Sequence, residues 1–223
     1  MALDKTKCDK ELGETIHDYL VSLGVETPMK RIGFSKEEHL STITDCFRII
    51  MENLALDLTD DSLMETPKRV AKMFLYEIFW GLDYDNFPKI TTIDNKMGYD
   101  NMLLERNIKV CSTCEHHFIP MMGEAFIAYL PKDRVIGLSK INRIVEFFSR
   151  RPQVQERLVE QIFHTLQYIL GTEDVAVIIR AEHTCVKLRG VEDVNSDTVT
   201  SKLGGHFLKS EALRNEFYHS IKL

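Results

Sequence analysis

The stretch VQERLVEQIFHTLQYILGTEDVAVIIRA, residues 154–181, contains a helix pattern and a strand pattern separated by a glycine. In its first half apolar residues recur every three or four positions, which is typical of an amphipathic helix. Gly171 follows this half, and glycine is the usual residue just after a helix end. The run 175–181 is rich in β-branched residues and predicts a strand. A long helix followed directly by a strand indicates a mixed fold.

The segments around this stretch continue the mixture of helices and strands. Strand-like runs occupy 102–110 and 125–130, and a helix is predicted over 139–149. After the stretch, a β-prone run at 199–203 predicts another strand, and 210–221 predicts a closing helix. We therefore predict an α+β catalytic region over 96–223.

The N-terminal part of the chain is predicted to be helical. Ser35 and Glu38 have the spacing of a capping box, in which side chain and backbone cap each other at a helix start. Thr66 and Pro67 are typical of the N-cap and first residue of a further helix. We predict a helical N-terminal region over 1–95.

Composition excludes several classes of protein. Of the 223 residues, 44% are hydrophobic and 28% charged, which is typical of a folded globular chain. The formal net charge of -6 predicts a surface that repels nucleic acid and anionic membranes. No apolar run is long enough to span a bilayer, and residues 1–20 do not resemble a secretory signal. We expect neither a nucleic-acid nor a membrane partner.

Cysteine usage indicates the compartment and the chemistry. Five cysteines, an odd number without a signal peptide, argue against a disulfide framework and for a reducing cytosol. We therefore expect a cytoplasmic protein in which clustered cysteines are metal ligands or catalytic groups.

The segment Cys114-Glu115-His116-His117 is the densest chemical signal in the chain. A cysteine and a histidine three residues apart can bind one zinc ion (Zn2+) from a single turn, and Cys185 is the remaining cysteine of the second half. Cys111 forms a C-x-x-C pair with Cys114, so a closed structural site with four protein ligands is an alternative. Spacing alone does not decide between this site and a catalytic site with three ligands and a water.

The segment around Cys185 also contains a histidine and two cations. If residues 183–189 are extended, period-two geometry puts His183, Cys185, Lys187 and Arg189 on one face. A ligand, a titratable base and two positive charges would then line one surface.

A second candidate site is the start of the helix near residue 139. Ser139 is a candidate cap, and Lys140 and Arg143 share a face at a helix N-terminus, which is a common place for phosphate. The alternative is a capped helix with solvated charges. Further cations that could extend a polyphosphate site are Lys187, Arg189, Arg69 and Lys72.

Gln155 and Glu156 lie at the start of the long helix. A carboxylate can accept two N–H donors from one edge of guanine, and a glutamine can bind its carbonyl. The alternative for Glu156 is ordinary complementation of the helix dipole.

These motifs together resemble the GTP cyclohydrolase I family. The matching segments are 112–118, 135–140, 152–158, 183–186 with 189–190, and 198–201. They occur in order, and the resemblance runs from about residue 60 to the C-terminus. It implies a tunnelling fold (T-fold), in which strands of several subunits join into a barrel. It also implies a homo-oligomer, a decamer, with active sites at subunit interfaces.

The resemblance also implies a reaction and a role for each matching residue. The reaction is the zinc-dependent hydrolysis of GTP at C8 of guanine to formate and 7,8-dihydroneopterin triphosphate, the first step of pterin and tetrahydrofolate synthesis. The implied zinc ligands are Cys114, His117 and Cys185, and the implied acid–base groups are His116 and His183. Gln155 and Glu156 bind the base. The implied triphosphate contacts are Ser139, Lys140, Arg143 and Arg189, with Arg69 or Lys72 as additions.

Two other classes of function remain open at this point. A zinc deaminase acting on a base would use a P-C-x-x-C motif, which this chain lacks. A non-enzymatic nucleotide- or pterin-binding module with a structural zinc is the other alternative. Release of formate from GTP separates all three, since a deaminase yields ammonia and a binding module yields no product.

Overall fold

A computed structural model describes residues 3–30, 33 and 35–222. The α-helices of this part of the chain are α1 Lys10–Ser22, α2 Lys36–Asn53, α3 Thr66–Lys72, α4 Leu138–Ser149, α5 Gln155–Leu170, α6 Thr184–Lys187, α7 Gly205–Lys209 and α8 Glu211–Ile221. The strands are β1 Thr92–Asp94, β2 Leu103–Cys114, β3 Pro120–Tyr129, β4 Arg134–Ile136, β5 Pro152–Gln153, β6 Val175–His183 and β7 Thr198–Leu203. Shorter turns of 3-10 helix lie at Lys5–Lys7, Trp80–Leu82 and Tyr84–Asn86, and a π-helix lies at Met73–Ile78. The predicted α+β class is confirmed.

The central sheet has five strands in the order β5-β2-β3-β6-β7. β2, β3, β6 and β7 are antiparallel neighbours, and the short β5 runs parallel to the end of β2. Thr113 pairs with Pro120 across β2 and β3, and Met121 pairs with His183 across β3 and β6. The C-terminal ends of β2 and β6 therefore lie at the same end of the sheet, on either side of the start of β3.

Helices cover both faces of this sheet. α5 packs on β6 and β7, and α4 packs on β2. On the other face, α7 and α8 contribute Phe207, Phe217 and Ile221 to a core that includes Phe126 and Ile178. Since residues 175–179 are all buried, β6 has the continuous apolar character of a strand covered on both sides. A sheet of this kind with helical layers agrees with the tunnelling fold that the resemblance implies.

The contacts divide the chain into two compact units. One contains the described residues of 28–80, including α2 and α3, and the other contains residues 4–27 and 81–222 with the sheet. In the second unit, α1 packs against α5. The division at residue 95 between a helical and a catalytic region stays a prediction.

Two helix starts differ from the prediction and one agrees with it. The capping box is confirmed, because the Glu38 N–H donates to Ser35 Oγ at 3.2 Å and the Ser35 N–H donates to Glu38 Oε2 at 2.7 Å. Thr66 is the first helical residue rather than the N-cap, and Glu65 before it makes no side-chain cap. α4 begins at Leu138 after an extended Gly137, so Ser139 lies inside the first turn and is not the cap.

The described helices contain no segment that is both long and apolar enough to cross a membrane.

Candidate metal and nucleotide site

The ligand atoms of Cys114, His117 and Cys185 all lie within 4.8 Å of one another. We call these residues the metal group. Cys114 is the last residue of β2, His117 lies in the turn after it, and Cys185 lies in α6 after β6. Since the ends of β2 and β6 flank the start of β3, the group is built where the register of the three strands brings these segments together.

The turn at 115–119 places His117 close to Cys114. The Cys114 N–H donates to Ile119 O and the Phe118 N–H donates to Cys114 O, both at 2.9 Å, so the turn closes on Cys114 itself. Phe118 adopts a left-handed conformation, with φ of 55°. The Glu115 N–H donates to Gln153 O at 3.0 Å, which continues the pairing of β2 with β5. His117 Nδ1 comes to 3.9 Å from Cys114 Sγ.

Residues 184–187 are not extended, so the condition for placing His183, Cys185, Lys187 and Arg189 on one strand face is not met. β6 ends at His183, and Thr184–Lys187 forms one turn of helix with the Leu188 N–H donating to Thr184 O at 2.9 Å. The hydroxyl of Thr184 donates to Pro120 O. The pairing of β6 with β7 ends at Ala181 and its pairing with β3 ends at His183, so among the described residues no strand pairs with Thr184–Lys187. Cys185 is therefore brought to the metal group by a turn rather than by strand alternation.

Cys111 does not belong to the metal group. Because side chains alternate along a strand, Cys111 and Cys114 point to opposite faces of β2. The Cys111 thiol instead lies 4.0 Å from Arg150 Nη1. A closed site with Cys111 as a fourth ligand is therefore disfavoured.

The donor set fits zinc. Two thiols and an imidazole are ligands that zinc binds readily, and three protein ligands leave one position open in a tetrahedral site. Burial raises the pKa of the Cys185 thiol, and the adjacent Cys114 thiol acts in the same direction. A bound cation would act in the opposite direction, because it stabilises the thiolates.

Two further histidines lie beside the metal group. His116 Nδ1 is 3.9 Å from Cys114 Sγ, on the solvent side of the turn. His183 Nε2 is 2.8 Å from Gln155 Oε1. Burial lowers the pKa of His183, and the nearby carboxylate of Glu156 opposes this effect.

Gln155 and Glu156, adjacent at the start of α5, have different environments. Gln155 is buried, whereas Glu156 is exposed. The amide nitrogen of Gln155 donates to groups of β6 and β7, and its oxygen contacts His183. Glu156 is thus the one of the two that is open to a ligand, while Gln155 is already engaged inside the chain.

The predicted cations fall into separate places. Arg189 Nη1 is 2.8 Å from His117 Nε2, so Arg189 contacts the metal group directly. Lys187 forms an ion pair with Glu182 at 2.9 Å. Ser139, Lys140 and Arg143 share the first turns of α4, where burial, with further contributions from Arg143 and the neighbouring Lys89, lowers the pKa of Lys140.

We call Lys140 and Arg143 the α4 cations. Within residues 3–30, 33 and 35–222, no hydrogen bond or ion pair connects them to the metal group. Arg69 and Lys72 lie in the last turn of α3, within the other compact unit. Their contact with the triphosphate stays a prediction.

An ion pair that the sequence analysis missed holds the turn of the metal group. Arg157 Nη1 is 2.6 Å from Glu115 Oε2, and Arg157 Nη2 is 3.3 Å from Glu115 Oε1. Glu115 lies between Cys114 and the two histidines, and Arg157 directly follows Glu156. The two residues are far apart in sequence, so only their positions inside the two motifs could have indicated the pairing.

Comparison with known proteins gives consistent results. The sequence profile of the GTP cyclohydrolase I family matches residues 43–222. Proteins named GTP cyclohydrolase 1 from Aliivibrio salmonicida and Shewanella amazonensis are each 54% identical to this chain, over 207 and 209 residues. The matches cover 93% and 94% of this chain, and 95% and 97% of the relatives. A protein of the same name from Yersinia enterocolitica is 53% identical over 209 residues, which are 94% of this chain and 95% of the relative.

Proposed function

The chain belongs to the GTP cyclohydrolase I family, whose members hydrolyse GTP in pterin and folate synthesis, and we propose that its metal group holds the zinc ion for this reaction. The products are then formate and 7,8-dihydroneopterin triphosphate, released after water adds at C8 of guanine. The observation that carries the proposal is the convergence of Cys114, His117 and Cys185 within 4.8 Å, with two more histidines beside them.

Zinc supplies Lewis acidity, which makes water a nucleophile at neutral pH. The chain supplies three ligands to it, from the end of β2, the 115–119 turn and α6. The Cys111 thiol points toward Arg150, away from the metal group, and the proposed zinc site does not include it.

The two histidines beside the metal group are proposed to move protons. An imidazole titrates near neutrality, so it can protonate a ring nitrogen of guanine as the ring opens and take the proton back later. His183 is held by Gln155 at the end of β6, and His116 lies on the turn of the metal group. Ring opening, formate release and ring closure each move protons, and the two imidazoles are proposed to share these transfers.

Substrate binding is proposed to use residues at both ends of GTP. The exposed carboxylate of Glu156 accepts two N–H donors of guanine, and Gln155 lies beside it. The triphosphate is assigned to Arg189 at the metal group and to the start of α4. Binding energy from the triphosphate would then position C8, which is far from it. Residues proposed for the triphosphate are Ser139, Lys140, Arg143 and Arg189, with Arg69 or Lys72 in addition.

We further propose that the active site is completed by a second copy of the chain in a homodecamer. The outer edge of β7 has no partner strand among the described residues, and neither does most of the outer edge of β2. Free edges of this kind pair with strands of another chain. The α4 cations, which do not reach the metal group of their own chain, would then serve the metal group of a neighbour. All five cysteines are free, which supports the cytoplasm as the compartment.

The test is formate release from GTP labelled at C8. Cys114→Ser, His117→Ser and Cys185→Ser are each expected to lose zinc and formate release, because a three-ligand site cannot spare a ligand. Cys111→Ser, the matched control, is expected to keep both. Ammonia in place of formate would indicate a deaminase, and GTP binding without any product would indicate a binding module.

A further inference from the structure

The two segments that carry the cysteines of the metal group are tied to neighbouring carbonyls at the start of β3. The Cys114 N–H donates to Ile119 O at 2.9 Å. The hydroxyl of Thr184, which directly precedes Cys185, donates to Pro120 O. Ile119 and Pro120 are consecutive in the chain, so their backbone accepts one donor from each segment. These two bonds therefore help to set the distance between Cys114 and Cys185.

Strand pairing alone does not hold the segment of Cys185. The register of β3 with β6 ends where Met121 lies opposite His183. Continuing this register would place Thr184 opposite Pro120. At that point the chain has instead entered α6, so a side chain, the Thr184 hydroxyl, makes the contact with β3. A single helical turn is not stable by itself, because helix nucleation is unfavourable. The position of Cys185 thus depends on what anchors α6 to the sheet.

Two other contacts near α6 are more exposed than this hydroxyl. Lys187 pairs with Glu182 of β6 at 2.9 Å, but the Glu182 side chain is 62% exposed. Arg189 reaches His117 at 2.8 Å from beyond α6, and it is also exposed. Exposed charged contacts contribute little, because water and salt screen them. Thr184 is half-buried and donates to a carbonyl of the sheet itself, so its hydroxyl is the better anchor for α6.

We propose that Thr184 is a positioning residue of the zinc site, whose hydroxyl holds Cys185 beside the other two ligands before the metal binds. The inference rests on the proposed zinc site. A site whose ligands are already in place loses less binding free energy to ordering them, so its affinity is higher. Without the hydroxyl, α6 adopts the binding arrangement for only part of the time, and zinc binds more weakly.

The test compares Thr184→Val with Thr184→Ser. Valine keeps the branched shape of threonine and removes the hydroxyl, whereas serine keeps the hydroxyl. In competition with a chelator, we expect Thr184→Val to bind zinc about 3- to 10-fold more weakly, which corresponds to one net hydrogen bond. Thr184→Ser should bind zinc within about twofold of the unaltered protein. Equal weakening in both variants would show that the hydroxyl is not the anchor and would overturn the proposal.

Thr15→Val is the matched control for the loss of a threonine hydroxyl. Thr15 lies in α1, and its hydroxyl donates to Glu11 O at 2.9 Å, on a segment that carries no member of the metal group. This variant should leave zinc affinity unchanged. At saturating zinc, Thr184→Val should have the kcat and KM of the unaltered enzyme, because all three ligands remain. A kcat that stays low at saturating zinc would mean that Thr184 acts on the reaction itself, against a role confined to holding Cys185.

Cys185→Ser, measured in the same assay, separates this inference from the proposed function. If Cys185→Ser loses zinc while Thr184→Val binds it as tightly as Thr15→Val, the zinc site stands and the positioning role of Thr184 is refuted. If Cys185→Ser binds zinc as tightly as the unaltered protein, the proposed zinc site itself fails, and the positioning role fails with it.

Discussion

The ion pair between Glu115 and Arg157 is expected to control how tightly zinc is held. Both oxygens of Glu115 face the guanidinium of Arg157, at 2.6 and 3.3 Å, and the two side chains are 27% and 19% exposed. Exposed pairs contribute up to about 1 kcal/mol, and loss of one partner of a fully buried pair costs about 3–5 kcal/mol. The partial burial places Glu115→Gln between these limits, at about 1–3 kcal/mol.

The ion pair fixes the turn on which His117 lies. Its loss should therefore weaken the affinity of the metal group for zinc. A loss of about 1–3 kcal/mol corresponds to an affinity weakened by about 5- to 150-fold. Zinc affinity would be measured by competition with a chelator, and formate release at saturating zinc would follow. Glu115→Gln and Arg157→Met should each weaken binding, and saturating zinc should restore much of the activity.

The double variant and a control on the same helix complete this test. Because one interaction is lost in each case, Glu115→Gln/Arg157→Met should bind zinc about as well as either single variant. Lys202→Met removes another ion pair of α5, with Glu160, that does not touch the turn. It should leave zinc affinity unchanged. Unchanged zinc affinity in Glu115→Gln would refute the idea that this pair positions the turn.

Two further predictions concern base recognition and the sheet. Glu156→Gln should lose about 2–5 kcal/mol of transition-state stabilisation in kcat/KM for GTP, since a charged hydrogen-bonding partner of the base is neutralised. ATP should be a poor substrate of the unaltered enzyme, and comparable turnover of ATP and GTP would contradict the role of Glu156. Gly123→Ala should lower the melting temperature, because the added Cβ would lie 2.0 Å from Arg180 O on the neighbouring strand. Gly33→Ala, where no atom of the described residues lies within 4 Å of the added Cβ, is the control, and equal melting of the two variants would refute the clash.

Much of the fold could be predicted because its elements are marked locally. The stripe that ends at Gly171 and the β-branched run after it correspond to α5 and β6, and Gly171 has the left-handed conformation expected at a helix end. The capping box at Ser35 was also readable, since both partners lie within one turn. The short strands β1, β4 and β5 were not predicted, because their pairing depends on distant segments rather than on their own sequence.

The site was predictable to the extent that its chemistry lies in short motifs. Cysteine and histidine at 114 and 117 indicated a metal, and Cys185 was the remaining cysteine of the second half that could join them. Whether Cys111 is a further metal ligand depends on the face of β2 to which its side chain points. The sequence analysis had not identified 111 and 114 as part of one continuous strand.

Other features of the site depend on tertiary structure. The turn at Thr184 forms just after the pairing of β6 with β3 ends at His183, so a period-two pattern for the following residues was misleading. The partners of Gln155 lie on β6 and β7, well separated from it in the chain. The sequence therefore did not indicate that the amide of Gln155 is hydrogen-bonded inside the chain.

The coordination of the metal tests the central claim most directly. X-ray absorption spectroscopy on the zinc-loaded enzyme should show two sulfur ligands at about 2.3 Å and two nitrogen or oxygen ligands at about 2.0–2.1 Å. These would be Cys114, Cys185, His117 and a water, and the spectrum should be the same in Cys111→Ser. A third sulfur ligand that disappears in Cys111→Ser would mean a closed structural site and would contradict the account.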